Sequence, residues 1–171
     1  DTANGDGGAW PGGDADTRAS MERVNAFAPD TDANWASNNG VYRNGLDADG
    51  NPVNGTPGQP NSTTYPTPTP TQTPTPTPTA TSLPARSILI NELAWAGTLA
   101  DANDEWIELY NPGNDPVDVT GWMLTDGGDI HLSLSGVLAA AGYYLLERTD
   151  DNVVADVPAR PIHEPNGPVH G

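Results

Sequence analysis

Cysteine is absent from the 171 residues, which excludes a disulfide framework, a thiolate nucleophile and Cys-ligated zinc or iron–sulfur sites. Lysine is absent as well. Six arginines stand against 23 Asp and Glu, for a net charge of −17. A chain of that sign is repelled by nucleic-acid phosphates and anionic membrane faces, so neither is expected as a partner. The longest apolar run, Val137 to Leu146, falls far short of the about 20 residues needed to cross a bilayer, so no membrane insertion is expected. Histidine is scarce: His131, His163 and His170 form no His-x-x-x-His or His-Glu-x-x-His pair, and no Gly-x-Ser-x-Gly elbow exists, so zinc and serine-nucleophile catalysis lack support. Gly5-Asp6-Gly7-Gly8 and Gly12-Gly13 follow no strand and open no helix, so they are not phosphate loops. The sequence begins at Asp1, without Met or a charged-then-apolar leader, so no targeting signal is visible.

What is present is unevenly spread. Eighteen Pro and 19 Gly exclude a mostly helical chain. Leu, Ile, Val and Phe number 28, of which six lie in residues 1–84 and twenty in residues 85–160. Only the second half can build a core alone. Between the halves, residues 63–84 are a Thr/Pro tract in which alternating proline fixes φ and removes amide donors, leaving polyproline II. At about 3.1 Å per residue this linker reaches roughly 65 Å. Such tracts also read as O-glycosylated stalks of exported proteins, with Thr67, Thr69, Thr71, Thr73, Thr75, Thr77 and Thr79 as acceptors. Asn54-Gly55-Thr56 and Asn61-Ser62-Thr63 add two N-glycosylation sequons, at Asn54 and Asn61. An unmodified spacer is the plainer alternative.

After the linker, strand signals recur about every ten residues: Ser87–Leu93, Glu105–Tyr110, Val117–Val119, Trp122–Leu124, Ile130–Leu134 and Tyr143–Leu146. This spacing suggests an all-β sandwich. Ile130, Leu132 and Leu134 alternate with His131, Ser133 and Ser135, giving one inward and one wet face. Only Leu138–Ala141 hints at helix. Residues 1–62 read as loops with two strand-like pieces, Ser20–Val24 and Gly40–Arg43, neither of which stands alone. Trp10, Phe27 and Trp35 are the expected anchors that dock this half on another apolar surface, with Trp106 and Trp122 packing in the second half.

Ile88-Leu89-Ile90-Asn91-Glu92, then Asp104-Glu105-Trp106-Ile107-Glu108-Leu109-Tyr110-Asn111-Pro112, then Gly121-Trp122-Met123-Leu124-Thr125-Asp126 resemble the opening half of a bacterial lamin-tail domain. Ser20-Met21-Glu22-Arg23, Trp35 and Gly55-Thr56-Pro57-Gly58-Gln59-Pro60-Asn61 are similar to the closing part of the same family. The resemblance implies an immunoglobulin-like β-sandwich, all-β, with its halves in inverted order: tail 1–62, linker 63–84, head 85–157, and a polar, proline-rich end at 158–171. Composition agrees, since an apolar-poor tail precedes an apolar-rich head. A half-sandwich exposes an unpaired edge that invites strand addition. The tail could close on its own head, complete the head of the next copy, or belong to one period of a tandem array. One-directional complementation is heterologous and gives filaments where it does not close.

Candidate chemistry is sparse. Asp30-Thr31-Asp32-Ala33-Asn34 and Asp47-Ala48-Asp49-Gly50-Asn51 share the Asp-x-Asp-x-Asn spacing of calcium loops, placing Asp30, Asp32, Asn34, Asp47, Asp49 and Asn51 as candidate ligands of a structural calcium. Pro52 and Gly58 occupy positions where a helical-hand calcium loop needs Gly and Glu, so Asx-turns are the favoured reading. Asp104/Glu105/Glu108, Asp126/Asp129 and Asp150/Asp151 are expected as solvated surface charge. Trp10 and Trp95 are the candidates for a sugar-stacking platform, which requires coplanar exposed rings. The expected function is therefore that of a non-enzymatic structural protein outside the cell or at its surface. It would need no cofactor beyond that candidate calcium, and its partner would be a second copy of itself or glycans.

Overall fold

The computed structural model describes residues 3–5, 7–64, 87–126, 128, 131–148 and 151–161. The threonines 67, 69, 71, 73, 75, 77 and 79, together with Asp129, Asp150, His163 and His170, lie outside the described residues. Ten strands are described, with 3-10 turns at Asp32–Asn34 and Ser62–Thr64: β1 Met21–Arg23, β2 Trp35–Ser37, β3 Leu89–Ala94, β4 Trp106–Tyr110, β5 Val117–Asp118, β6 Met123–Thr125, β7 His131–Ser133, β8 Val137–Leu138, β9 Tyr143–Glu147 and β10 Arg160–Pro161. The chain is all-β, an immunoglobulin-like β-sandwich.

A six-stranded sheet runs in the order β10-β9-β4-β3-β1-β2, and two small pairs, β5-β8 and β6-β7, stand apart from it. Neighbours in the main sheet are antiparallel except β10 with β9. Residues of the N-terminal half therefore extend the sheet of the second half: β1 pairs with the edge of β3, in the register Met21↔Leu93 and Glu22↔Glu92. A bulge between Ile90 and Glu92 shifts the β3–β4 pairing by one residue.

Strand alternation splits the apolar side chains between the two faces. On one face Leu109 of β4 and Tyr144 and Leu146 of β9 pack with Val119, Leu134 and Leu138, joined by Ile90 and Ile107. On the other face Trp106, Leu145 and Ala94 pack with Val153 and Val154. Val117 and Leu124, from the two small pairs, also pack on the first cluster, so those pairs form the opposing layer. The Asn111-Pro112-Gly113 corner is tied inward by Asn111, fully buried, whose amide nitrogen donates to the carbonyls of Asp115 and Ala139 at 2.8 and 2.9 Å.

The structure departs from the sequence expectations in two places. Leu138–Ala141 is not helical: Val137 and Leu138 pair with Asp118 and Val117, and a turn follows. Gly40–Arg43 forms bends rather than a strand, because the Asn39 side chain accepts from the backbone N–H groups of Val41 and Tyr42 and curls the chain there. Residues 160–161, at the start of the polar, proline-rich end, run beside Leu146 and Glu147.

Candidate functional site

The seam between the two halves is built on carboxylates. Glu22 of β1, Glu92 of β3 and Glu108 of β4 are directly cross-strand neighbours, Glu22↔Glu92 and Glu92↔Glu108, and all three are fully buried. Like charges in such positions repel, so the arrangement needs donors. Most come from residues 1–62. Ser20 Oγ and the Thr56 N–H donate to Glu92 Oε1 at 2.5 and 2.8 Å. Asn38 Nδ2 and Ser62 Oγ donate to Glu22 at 2.7 and 2.6 Å. The Gly58 N–H donates to Glu108 Oε2 at 2.5 Å, while Asn91 Nδ2, from β3 itself, donates to Glu108 Oε1 at 2.7 Å. The donors are neutral. Burial without a cation pushes Glu108 up to about 8, against the lowering effect of the Gly58 and Asn91 hydrogen bonds. Burial, with Glu108 and Glu22 alongside, pushes Glu92 well above the ordinary carboxylate range.

This corrects the expectation that Glu108 is solvated. Glu105 is the surface member, meeting Arg148 at 2.7 Å. The reason is topological: a strand half-exposed in an isolated sandwich has no wet face once residues 38–62 and 151–159 cover its second side. The signal was present in Ile-Asn-Glu-Leu and Trp-Ile-Glu-Leu, where each glutamate sits among apolar strand residues beside a tail rich in Ser, Thr and Asn.

Close backbone approach completes the seam. A Cβ on Gly55 would lie 2.7 Å from the Trp106 ring and 2.8 Å from Glu92 Oε1. Arg23, buried at the end of β1, donates from Nε to the Ile90 carbonyl at 2.7 Å, meets Asp30 at 2.9 Å and lies 4.4 Å over the Trp35 ring. Trp10 stacks on Trp95 with centroids 6.1 Å apart and planes 8° apart, and Trp95 Nε1 donates to the Gly12 carbonyl at 3.0 Å. The pair therefore ties residues 10–12 to the end of β3.

Of the expected anchors, Trp35 and Trp106 are buried, and Trp10 is partly exposed on its stack. Phe27 and Trp122 are corrections, at 71% and 44% exposed. Phe27 rides an Asx-turn in which its N–H donates to Asn25 Oδ1. Beside Trp122, whose N–H donates to the Val119 carbonyl, Val119 takes the inward position.

The calcium candidates are occupied by donors. Asp47 Oδ1 accepts from the N–H groups of Asp49 and Asn51, and Oδ2 from that of Ala100 at 3.0 Å, an Asx arrangement that docks the loop on the head. Asp49 is exposed. Asp30 faces Arg23, Asn34 exchanges hydrogen bonds with the Asn25 backbone, and Asp32 is exposed. Among the described residues no group of three or more His, Asp or Glu side chains is placed to hold a metal ion.

Asn61, expected as a glycan acceptor, is 2% exposed, and its amide bonds to the Arg23 carbonyl and reciprocally to Asn91. A sugar there is incompatible with the docked arrangement. Asn54 donates to the Thr17 carbonyl and accepts from Arg43. A recess bordered by Arg18, Val53, Thr98 and Trp106 is water-sized, with a volume of about 10 Å³.

Residues 81–164 match the family model described as Lamin Tail Domain. No curated protein and no solved structure matches the chain. Lamin tail domains are immunoglobulin-like β-sandwiches, a non-catalytic fold of structural and interaction modules.

Proposed function

Because residues 81–164 belong to the lamin tail domain family, we propose that this chain is a structural subunit working outside the cell, joined to further copies when its residues 1–62 complete the head of a neighbour. The observation that carries this reading is the β1–β3 pairing. A strand from the apolar-poor half fills the open edge of a sandwich, and three residues of that half, Ser20, Thr56 and Gly58, supply donors to Glu92 and Glu108 of the other half. Strand addition of this kind gives affinity through main-chain and polar hydrogen bonds, and it works equally within a chain or between chains. Residues 63–84, reaching roughly 65 Å if extended as polyproline II, are long enough for either. The Thr/Pro composition and the acidity favour an exported, solvated assembly.

Light scattering across a wide concentration series tests this. Growth of molar mass with concentration is expected; a constant 17.8 kDa plus any sugar would mean that residues 1–62 serve only their own head. A second reading, a carbohydrate-binding or adhesive accessory module, rests on Trp10 alone, which is 40% exposed; stacked on half-buried Trp95, it forms no coplanar exposed pair with it. Binding on a glycan array that is lost in Trp10→Ala would support it.

A further inference from the structure

Glu92 is where the two halves meet most closely. It faces Glu22 from β1 and Glu108 from β4, and no cation offsets them among the described residues. Residues 54–58 bring no titratable side chain to it. Arg23 lies on the other side of β1, directed at Ile90 and Asp30, and Arg18 donates to the Ala96 carbonyl. Glu147 of β9 is buried farther along the sheet, where it accepts from the Val154 N–H.

Counting protons identifies what holds this together. Thr56 Oγ1 lies 2.8 Å from Glu92 Oε2 and 3.1 Å from Glu22 Oε1, yet a hydroxyl has one proton to give. Both contacts are hydrogen bonds only when one of the two carboxyls is protonated and donates to Thr56. Glu22 already accepts from Asn38 and Ser62, whereas among the described residues Glu92 Oε2 meets only Thr56. The order is therefore Glu92 Oε2–H to Thr56 Oγ1, and Thr56 O–H to Glu22 Oε1.

We propose that residues 1–62 close on the head only while Glu92 holds its proton, which makes the complementation latch open in alkali. The proposal rests on the reading that residues 1–62 complete the sandwich. On opening, Glu92 releases its proton to water and both carboxylates hydrate; on closing, one proton is taken up. Burial beside two carboxyls, which raises Glu92 well above the ordinary range, acts in the same direction. Closing thus weakens roughly tenfold per pH unit between the ordinary carboxyl range and the docked value of Glu92.

The test is hydrogen–deuterium exchange on the full chain from pH 5.5 to 9, with labelling times scaled for the ordinary pH dependence of amide exchange. Peptides spanning Met21–Arg23 and Leu89–Ala94 report the latch, and Trp106–Tyr110 reports the head. In the wild type, latch protection is expected to fall with pH by the roughly tenfold per pH unit due to Glu92 together with the slope due to Glu108, while the head remains the better protected of the two. Glu92→Gln, whose amide donates to Thr56 as the acid does, is expected to lose latch protection less steeply than the wild type by roughly tenfold per pH unit, keeping only the slope due to Glu108. If that variant does not fold, Glu92→Met, which cannot ionise, serves the same purpose. Flat wild-type protection, or a parallel fall in the non-ionising variant, would overturn the proton latch and leave complementation standing. An unprotected Met21–Arg23 at pH 5.5 with a protected head would overturn docking itself, and the latch with it.

Discussion

Replacing Gly55 with alanine isolates the seam from the rest of the fold. Gly55 does not have a positive φ, so alanine meets no backbone strain and even gains about 0.5 kcal/mol by narrowing the unfolded ensemble. Against that, its Cβ would stand 2.7 Å from Trp106 Cζ2, 2.8 Å from Glu92 Oε1 and 3.1 Å from Ser20 Oγ. Trp106 is packed against Leu145, Val153 and Val154 and cannot retreat, so overpacking costs about 1–3 kcal/mol. Pushing Ser20 or Thr56 off the buried Glu92 adds about 1–2 kcal/mol for a polar group left wanting. The net expectation is a loss of about 1.5–4.5 kcal/mol, read by urea denaturation. The control is Gly128→Ala: Gly128 also lacks a positive φ, and its Cβ would meet Asp126 no closer than 3.5 Å, so a change under about 0.5 kcal/mol is expected. Should Gly55→Ala unfold with the wild-type midpoint and slope, the close approach of residues 54–58 to β3 and β4 is wrong.

Three further outcomes follow from the geometry. Glu108 titrates near 4.5 when unfolded and at about 8 when buried, so the folded chain binds an extra proton there between those values; its contribution to stability should be complete below pH 4.5 and decline by up to about 1.4 kcal/mol per pH unit towards pH 8, in the same direction as that of Glu92, and urea midpoints that stay level or rise over that window would contradict it. Arg23→Ala removes a buried guanidinium bonded to the Ile90 carbonyl and strands Asp30, with an expected loss of about 3 kcal/mol or more in thermal or urea unfolding. Asp47→Ala frees the N–H groups of Asp49, Asn51 and Ala100, an expected loss of about 1–3 kcal/mol that is the same with millimolar calcium as with chelator if the carboxylate serves the backbone.

The head was largely legible because its strands obey local rules. Glu105–Tyr110 and Tyr143–Leu146 are short runs rich in aromatic and aliphatic side chains, the first closed by Asn111-Pro112-Gly113 and the second opened by Gly142, and they form β4 and β9 within a residue or two. Leu132 and Leu134 are inward and His131 and Ser133 outward, as the period of two requires. What was not legible depends on non-local pairing. Nothing in Trp35-Ala36-Ser37 announces a strand; it becomes one because Met21–Arg23 lies beside it. Nor does a glutamate announce burial. Glu108 is buried because the Gly58 N–H and Asn91 reach it, one of them fifty residues away in sequence. Aromatic rings misled in the opposite direction, since Phe27 looks like an anchor by type but local Asn25 bonding turns it outward.

The chemistry of the seam bears on what the protein can do. An apolar interface between residues 1–62 and the head would favour closure at every pH and hold its strand permanently, because hydrophobic burial carries no titration. A seam of three glutamates met by hydroxyls, amides and N–H groups is different. Each contact is directional, so the register Glu22↔Glu92 is selected against a slip that would leave buried carboxylates without donors. Its net strength is also modest, since every donor and acceptor is well solvated when the halves separate. Trp35, Met21 and the Trp10–Trp95 stack add apolar grip at the margins, while the carboxylate row sets which strand fits and when it lets go. High selectivity with limited hold is what the proposed strand exchange between copies requires, and glutamates meet that requirement where valines would give more stability but no selectivity of register.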